Sequence, residues 1–275
     1  MTSRGGVFVT GASKGIGAAI ARELAARGFR VFGTIRRDAD AAALRDAGAT
    51  PVRMDVTDQA SIAGARAEVE LALGAARLVG LVNNAGVPVV GPLEHIPLDD
   101  LRRQFQINVF GVVAVTQAFL PLLRAGTGRI VNISSVSGRF ALPFAGPYAA
   151  SKFALEAISD CLRRELYPFG VDVIVIQPGI IHTPIWQKGA KRDLSPVQNT
   201  PYEQVLTSMR DRAASVDHRA MPPSHVSRAI LHALTARRPA ARIPVVRHRL
   251  LYALRRWVPD RLRDRRFARR LWPAS

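Results

Sequence analysis

The sequence is poor in the residues that build metal and disulfide sites. It has one cysteine, Cys161, in 275 residues. A single thiol excludes an internal disulfide and any zinc cluster built on cysteine. Six histidines are scattered and none forms an H-E-x-x-H pair, so a metalloenzyme is not expected. No apolar run reads as long enough to cross a bilayer, and the opening Met1-Thr-Ser-Arg-Gly-Gly lacks the apolar core of a signal peptide. These absences favour a cytoplasmic location. Acidic residues are also scarce: 21 Asp and Glu stand against 39 Lys and Arg, for a formal net charge of +18. The excess is local, because residues 237–275 hold thirteen arginines and two aspartates, +11 of that total. A modestly basic body with a basic tail, and no recognised binding module, argues against a nucleic-acid partner.

What is present is 48% hydrophobic, enough for one sizeable core. Gly6-Val7-Phe8-Val9-Thr10 has the pattern of a short buried strand. Gly11-Ala12-Ser13-Lys14-Gly15-Ile16-Gly17 follows, and Ile16, Ile20 and Leu24 then recur every four residues up to Gly28. This is strand, glycine loop, helix. Small residues let the backbone turn sharply and approach a pyrophosphate, which the free amides of the helix N-terminus then face. A mere tight turn is the alternative. Arg30–Ile35 reads as the second strand. A site for NAD places an acidic residue near this strand end to bond the ribose hydroxyls. Here Arg36 and Arg37 stand there, with Lys14 inside the loop. Cations converging on the ribose suggest a 2′-phosphate, hence NADP in preference to NAD. Arg37 can equally be solvated surface, with Asp38 capping the next helix.

Pro51–Val56 reads as a third strand with Asp55 at its end, and Thr57 or Asp58 can cap a helix through Leu73. Leu78–Val82 is a fourth strand running into Asn83-Asn84-Ala85-Gly86, residues that either shape a turn or support a cofactor. A helical pattern runs from Leu98 to about Arg124. Asn108 lies in its middle, a poor place for asparagine without a partner or a function. Gly128–Ser135 is a fifth strand ending in hydroxyls. Tyr148 and Lys152 then stand four apart on a helix reaching about Phe169, so they share a face. A cation beside a phenol favours the phenolate. Taken alone, such a pair is common on helix surfaces. Val171–Ile176 is the sixth strand, followed by Gln177-Pro178-Gly179. From Ile180 to about Ser224 the alternation breaks, around Trp186, Lys188, Pro196 and a helical stretch near Tyr202–Ala214. This segment reads as a lid over the substrate. Ser224 can cap a helix through Ala236, and Arg242–Val246 fits an edge strand, where its proline is tolerated.

Strands alternating with helices imply an α/β fold, a doubly wound parallel sheet, in one domain over residues 1–246. Ligands of such sheets sit beyond the carboxyl ends of the strands. The Gly11–Gly17 loop, Asp55, Asn83–Gly86, Ser135 and Pro178–Gly179 all fall there. Residues 247–275 form a basic extension in which Leu250, Leu251, Leu254, Trp257, Leu262, Phe267, Leu271 and Trp272 are interleaved with arginine. It fits either peripheral contact with an anionic membrane or terminal helices packed on the body with a solvated basic face. Cys161 reads as packing and His182 as a loop histidine.

The combination Thr10-Gly-Ala-Ser-Lys-Gly-Ile-Gly17, Asn83-Asn-Ala-Gly86, Asn108, Ser135, Tyr148-x-x-x-Lys152 and Pro178-Gly179 resembles the short-chain dehydrogenase/reductase family over roughly residues 4–246. Gly128–Gly138 and Tyr148–Val171 look like its retinol, 17β-hydroxysteroid and 3-hydroxybutyrate dehydrogenase branch, and like bacterial NADP-dependent aldehyde reductases of that branch. The resemblance implies a Rossmann fold and a homodimer or homotetramer built on the Leu98–Arg124 and Tyr148–Phe169 helices. It implies Tyr148 as the acid/base, Lys152 lowering its pKa and bonding the nicotinamide ribose, Ser135 bonding the substrate oxygen, and Asn108 holding a water that links Lys152 to solvent. The cofactor would rest on Gly11, Ser13, Lys14, Gly15, Ile16, Gly17 and Arg36, with Asp55 and Val56 at the adenine. Asn83, Ala85 and Gly86 would line it, and Pro178, Gly179, Ile181 and Thr183 would stand at the carboxamide end. Hydride passes directly to or from the substrate carbon, without a metal. Val87, Val89, Val90, Val136, Phe140, Leu142, Phe144, Ile180 and Trp186 would make an apolar wall for a retinoid, steroid or long-chain alcohol or carbonyl. The rival is a non-catalytic NADP-binding sensor or scaffold on the same fold, which the presence of serine, tyrosine and lysine together disfavours.

Overall fold

Seven strands form one parallel sheet in the order β3-β2-β1-β4-β5-β6-β7. They are β1 (Gly6–Val9), β2 (Arg30–Ile35), β3 (Thr50–Arg53), β4 (Leu78–Asn83), β5 (Arg129–Ile133), β6 (Asp172–Pro178) and β7 (Arg242–Val245). The computed structural model describes residues 4–183, 195–216 and 220–272. The strands are rich in valine and isoleucine because both faces of the sheet are covered. On one face lie α1 (Gly15–Ala26), α2 (Ala41–Asp46) and, later in the chain, Ser224–Thr235. Ile20, Leu24, Leu44, Val226 and Ile230 from these helices are buried in one core. On the other face lie α3 (Gln59–Leu73), α4 (Leu98–Phe105), α5 (Gly111–Gly126) and α6 (Gly146–Leu166). Their core holds Val69, Val115, Leu123 and Leu166, and Phe8 of β1 stacks on Phe119 of α5 at 4.1 Å between ring centroids. In chain order the remaining helices are α7 (Glu203–Val216), α8 (Ser224–Thr235, already placed on the first face), α9 (Arg249–Leu254) and α10 (Asp260–Leu271).

The strand order turns back between β1 and β4, which pair in parallel. Helices leave the two strands toward opposite faces, so a crevice opens at their carboxyl ends. The expected six strands are present, and β7 joins as the seventh at the edge. It pairs only with β6, so Pro244 forfeits no ladder bond on its outer side.

Several local expectations are corrected. The helix expected from Leu98 to Arg124 is broken at its centre by a π-helical turn, Gln106–Phe110, between α4 and α5. Leu98–Gly126 is moreover long and apolar enough to cross a membrane, contrary to the sequence reading. Its apolar face instead packs on the sheet, with Val112, Val115, Phe119 and Leu123 buried. Ser224 opens α8 as its first helical residue and caps nothing; Pro223 precedes it. Asp38 likewise begins a short 3-10 turn, and its carboxylate pairs with Arg53 at 3.4 Å. Cys161 is exposed on α6 rather than packed, because the inward positions there are Glu156 and Ser159. Asp58, not Thr57, caps α3, accepting from the amides of Ala60 and Ser61.

The basic extension is two short helices docked at two points. The Tyr252 hydroxyl donates to Gln177 Oε1 at 3.2 Å and its ring meets Phe140 edge-on at 5.5 Å. Trp272 approaches Phe144 at 6.1 Å. The arginines of α10 remain largely in solvent.

Candidate active site

A cavity of about 940 Å³ opens at the carboxyl ends of β1, β4, β5 and β6. Its first end is built by the loop after β1. Gly11 and Gly15 adopt φ of +64° and +58°, the left-handed region that glycine enters without strain. Gly17 admits no side chain: a Cβ there would stand 2.1 Å from the Gly11 carbonyl oxygen and 2.7 Å from Asn84 Nδ2. The first turn of α1 is thereby drawn tight against the loop. No side chain caps α1, so its free amides stay available to an anion. Ser13, Lys14, Ile16 and Arg36 also line this end, and Asp55 and Val56 stand opposite. Burial raises the Asp55 carboxyl pKa, but hydrogen bonds from the Thr57 amide and hydroxyl, with Arg36 nearby, outweigh it and leave the group below its ordinary value. Arg37 does not reach the cavity. It pairs with Asp40 at 3.0 Å, which settles the open choice in favour of surface. Arg102 and Arg103 of α4 also line the cavity, two cations that helical periodicity alone did not single out.

Thr10, Thr34 and Asn84 hold the loop in place; sequence reasoning gave Asn84 a supporting role but assigned none to the two threonines. The Thr34 hydroxyl accepts from the Gly11 amide at 2.8 Å. Thr10 Oγ1 accepts from the amides of Asn84 and Ala85, both at 2.9 Å. Asn84 Nδ2 in turn donates to the carbonyls of Thr10 and Gly11 at 2.9 and 3.0 Å. Ala85 and Gly86 line the cavity, as Asn84 does. Asn83 does not. Its side chain lies on the opposite side of the strand, as alternation along β4 requires, and donates to Thr116 Oγ1 at 3.1 Å and Asn132 Oδ1 at 2.9 Å. Asn132 continues to Ser159 at 2.9 Å, so Asn83 belongs to a buried polar chain that ties β4 and β5 to α5 and α6.

At the other end Ser135, Tyr148 and Lys152 meet. Ser135 ends the segment after β5, where its Oγ accepts from the Ser137 amide at 3.0 Å. Ser135 and Tyr148 line the same cavity wall. Pro147 sits at the first turn of α6, where its missing N–H costs nothing, and the helix then carries Tyr148 and Lys152 on one face. Lys152 is 5% exposed and its Nζ donates to the Ile133 carbonyl at 2.8 Å. Burial pushes its ammonium down to about 8, with Glu156 pulling the other way. Burial raises the Tyr148 phenol above its ordinary value, and Ser135 partly offsets this. The sequence reading expected Lys152 to lower that value. The ammonium is 5.8 Å from the Tyr148 ring centroid and gives one of its donors to Ile133, and desolvation of the phenol outweighs it.

Asn108 sits in the π turn, a feature common at functional sites. Its Oδ1 accepts from the Val87 amide at 2.9 Å, and its Nδ2 donates to the Val87 carbonyl at 3.0 Å and to Ser151 Oγ at 3.1 Å. Gln104, fully buried one turn earlier, repeats the pattern. Its Oε1 accepts from the Val89 amide at 2.6 Å and its Nε2 donates to the Val87 carbonyl at 3.0 Å. Together they clamp residues 87–89 beside Lys152 and satisfy backbone groups that no strand pairs. The signal for Gln104 was its spacing of four from Asn108.

Pro178, Gly179, Ile181 and Thr183 complete the wall next to Tyr148. Ile181 is bridged in parallel to Met221. Of the expected apolar wall, only Val87 lines the cavity, joined by Pro88 and Ile107. Val136 is half-buried in a short 3-10 turn. Phe140 turns to Tyr252, whose ring it packs against. Leu142 and Ile180, 42% and 47% exposed, do not line the cavity. Trp186 lies outside the described residues.

Residues 6–193 match the family described as short chain dehydrogenase. The chain is 37% identical over 268 residues to the NADPH-dependent 3-dehydrocapnine reductase of Ornithobacterium rhinotracheale, covering 94% of each chain. It is 36% identical over 274 residues to retinol dehydrogenase 5 of Homo sapiens, covering 94% of this chain and 86% of that one. A short-chain dehydrogenase crystal structure from Streptomyces avermitilis superposes with a TM-score of 0.77 at 30% identity, covering 98% of this chain and 97% of the other.

Proposed function

The chain belongs to the short-chain dehydrogenase family and is an oxidoreductase of its retinol and 17β-hydroxysteroid dehydrogenase-like branch, and on that premise we propose that it is an NADPH-dependent reductase of hydrophobic carbonyl compounds. The observation that carries this reading is the meeting of Ser135, Tyr148 and buried Lys152 in the wall of a cavity that begins at a phosphate-type glycine loop. The residues fit the dinucleotide. Gly17 lets the first turn of α1 pack against the loop with its amides uncapped, and Lys14, 4.0 Å from Asp40, and Arg36 line that end of the cavity, where they would hold a ribose 2′-phosphate. The name of the Ornithobacterium relative agrees with NADPH.

When bound, the reduced nicotinamide supplies the hydride. Ser135 Oγ donates a hydrogen bond to the carbonyl oxygen and holds it against Tyr148. As negative charge grows on that oxygen, the Tyr148 hydroxyl delivers its proton. Its raised pKa keeps the phenol protonated at neutral pH, which suits an acid and hence reduction; oxidation needs the phenolate and is favoured by alkaline pH. Lys152, still largely cationic at pH 7, stabilises the phenolate left behind and bonds the nicotinamide ribose. Asn108 holds the water through which Tyr148 is reprotonated by way of Lys152.

Val87, Pro88 and Ile107 favour an apolar substrate, and retinol and 17-beta-hydroxysteroid dehydrogenases are among the relatives by name. A retinoid, steroid or long-chain carbonyl is therefore the proposed class. Phe110 and Phe153, 57% and 44% exposed on the α4–α5 and α6 surfaces, support a homo-oligomer through these helices, which light scattering measures.

A panel of retinal, steroid ketones and long-chain aldehydes, assayed with NADPH and NADH side by side, tests the activity. Tyr148→Phe should abolish turnover while NADPH binding persists, and substantial residual turnover would sink the mechanism. Lys14→Ala with Arg36→Ala should weaken NADPH far more than NADH; equal losses would refute the phosphate assignment.

A further inference from the structure

The C-terminal extension has two features that catalysis does not use. The first is an apolar face directed away from the body. Leu250, Leu254 and Trp257 stand at spacings of four and three along α9 and the 3-10 turn Arg255–Trp257 that continues it, so they share one side. They are 75%, 53% and 72% exposed, and Leu251 at 53% borders them. Tyr252 lies on the opposite side of the same helix and is the residue that bonds Gln177 and packs on Phe140. The face is therefore outward by construction. Exposed leucines scattered singly mean little, but four large apolar side chains grouped on so short an element mark an interaction surface.

The second feature is cationic. Along α10, Arg261, Arg265 and Arg269 recur every four residues, and with Arg266 and Arg270 they make five exposed guanidinium groups. Asp260 and Asp264 are the only acidic residues of that helix. Exposed leucine and tryptophan on one helix and exposed arginine on the next is the chemistry of an interfacial anchor. The apolar side chains enter the boundary between headgroups and acyl chains, tryptophan sits at headgroup level, and arginine meets anionic lipid. A second copy of this chain is a poor occupant, because two such arginine helices repel. Nucleic acid would engage the arginines and leave the apolar face without a role.

We propose that α9 and α10 dock the protein on an anionic lipid bilayer. The same extension meets the body at Phe140 and Phe144, in the loop that precedes Tyr148. Docking would therefore leave that loop one helix diameter, roughly 10 Å, from the bilayer surface.

The test is flotation of the full-length protein with vesicles of phosphatidylcholine alone, or of phosphatidylcholine mixed with phosphatidylglycerol. Binding is expected to the mixed vesicles only and to weaken as salt rises. The triple variant Arg261→Gln, Arg265→Gln, Arg269→Gln should lower partitioning about a hundredfold, from about fivefold per arginine near an anionic surface. Leu250→Ser, Leu254→Ser, Trp257→Ser should weaken binding at every salt concentration, with its thermal melt showing that the body remains folded. No flotation with anionic vesicles overturns the proposal. So does flotation that survives both triple variants. Duplex DNA binding by anisotropy provides the third arm: arginine-dependent binding to DNA and vesicles alike, indifferent to the apolar variant, would overturn it in favour of a general polyanion site. None of these readouts depends on turnover, so failure here leaves the catalytic reading untouched, and the reverse.

Discussion

Replacing Lys152 with methionine should stabilise the folded protein at neutral pH while removing its activity. Lys152 is 5% exposed, and its ammonium is pushed down to about 8. In the unfolded chain a lysine titrates near 10.4. Below pH 8 both states are protonated, and the folded state carries the full cost of the buried charge. Between about 8 and 10.5 the unfolded chain holds a proton that the folded one has released, so stability rises with pH. Above that range the contribution is flat. A gap of roughly 2.5 pH units corresponds to on the order of 3 kcal/mol. Methionine removes that cost and forfeits the hydrogen bond to the Ile133 carbonyl, worth about 1–2 kcal/mol. The variant should therefore be more stable by about 1–2 kcal/mol at pH 7, and less stable by a similar amount near pH 10.5. Urea unfolding of both proteins, without dinucleotide, at pH 7, 8, 9 and 10 measures this, and other titrating groups cancel in the difference. A difference that does not change with pH, or a wild type more stable at pH 7, would refute the reasoning. A gain in stability on losing a working side chain is what a function-bearing buried charge entails.

Two further substitutions probe the supports of the site. Gly17→Ala places a methyl 2.1 Å from the Gly11 carbonyl oxygen, so the loop must open; NADPH affinity by calorimetry should fall at least tenfold with the sheet intact by circular dichroism, and unchanged affinity would contradict the tight loop. Arg242 bonds Glu156 and Asp160, each at 2.8 Å, and Glu156 is 5% exposed. Arg242→Met strands that buried carboxylate and should cost about 3 kcal/mol at pH 7. Arg242 holds the Asp160 carboxyl at about 2, below its unfolded value near 4, so that part of the stabilisation is full above pH 4 and lost as pH falls toward 2. Urea midpoints of the two proteins should converge over that range, and a constant gap would assign the loss to packing.

Much of the site was legible because its residues sit at strand ends, where a pattern of valine and isoleucine stops and glycine, serine or asparagine begins. Gly11–Gly17, Asp55, Gly86, Ser135 and Pro178 were placed on that basis, and all but Ala12 line the cavity, whereas Asn83 does not. Asn83 and Asn84 differ by one position, and a strand turns successive side chains to opposite sides. The sequence does not say at which residue β4 stops alternating. Gln104 carried only the faint signal of its spacing from Asn108, because its amide serves the backbone of residues 87–89, a partner that exists only after the chain folds back. Phe140 read as a substrate contact, but its ring is taken by Tyr252, more than a hundred residues downstream.

By itself the sequence determined the alternation of strands and helices, the glycine loop, the cations at the end of β2 and the shared helical face of Tyr148 and Lys152. Each of these depends on spacing along a few neighbouring residues, and spacing is what a sequence records. Tertiary structure decided the rest: the π turn that presents Asn108, the burial that pushes Lys152 down and Tyr148 up, and the separation of Arg37 from the cavity. It also decided which face of α9 is left in solvent. These depend on how much water is excluded and on which distant group arrives first, and both follow from packing between segments far apart in the chain.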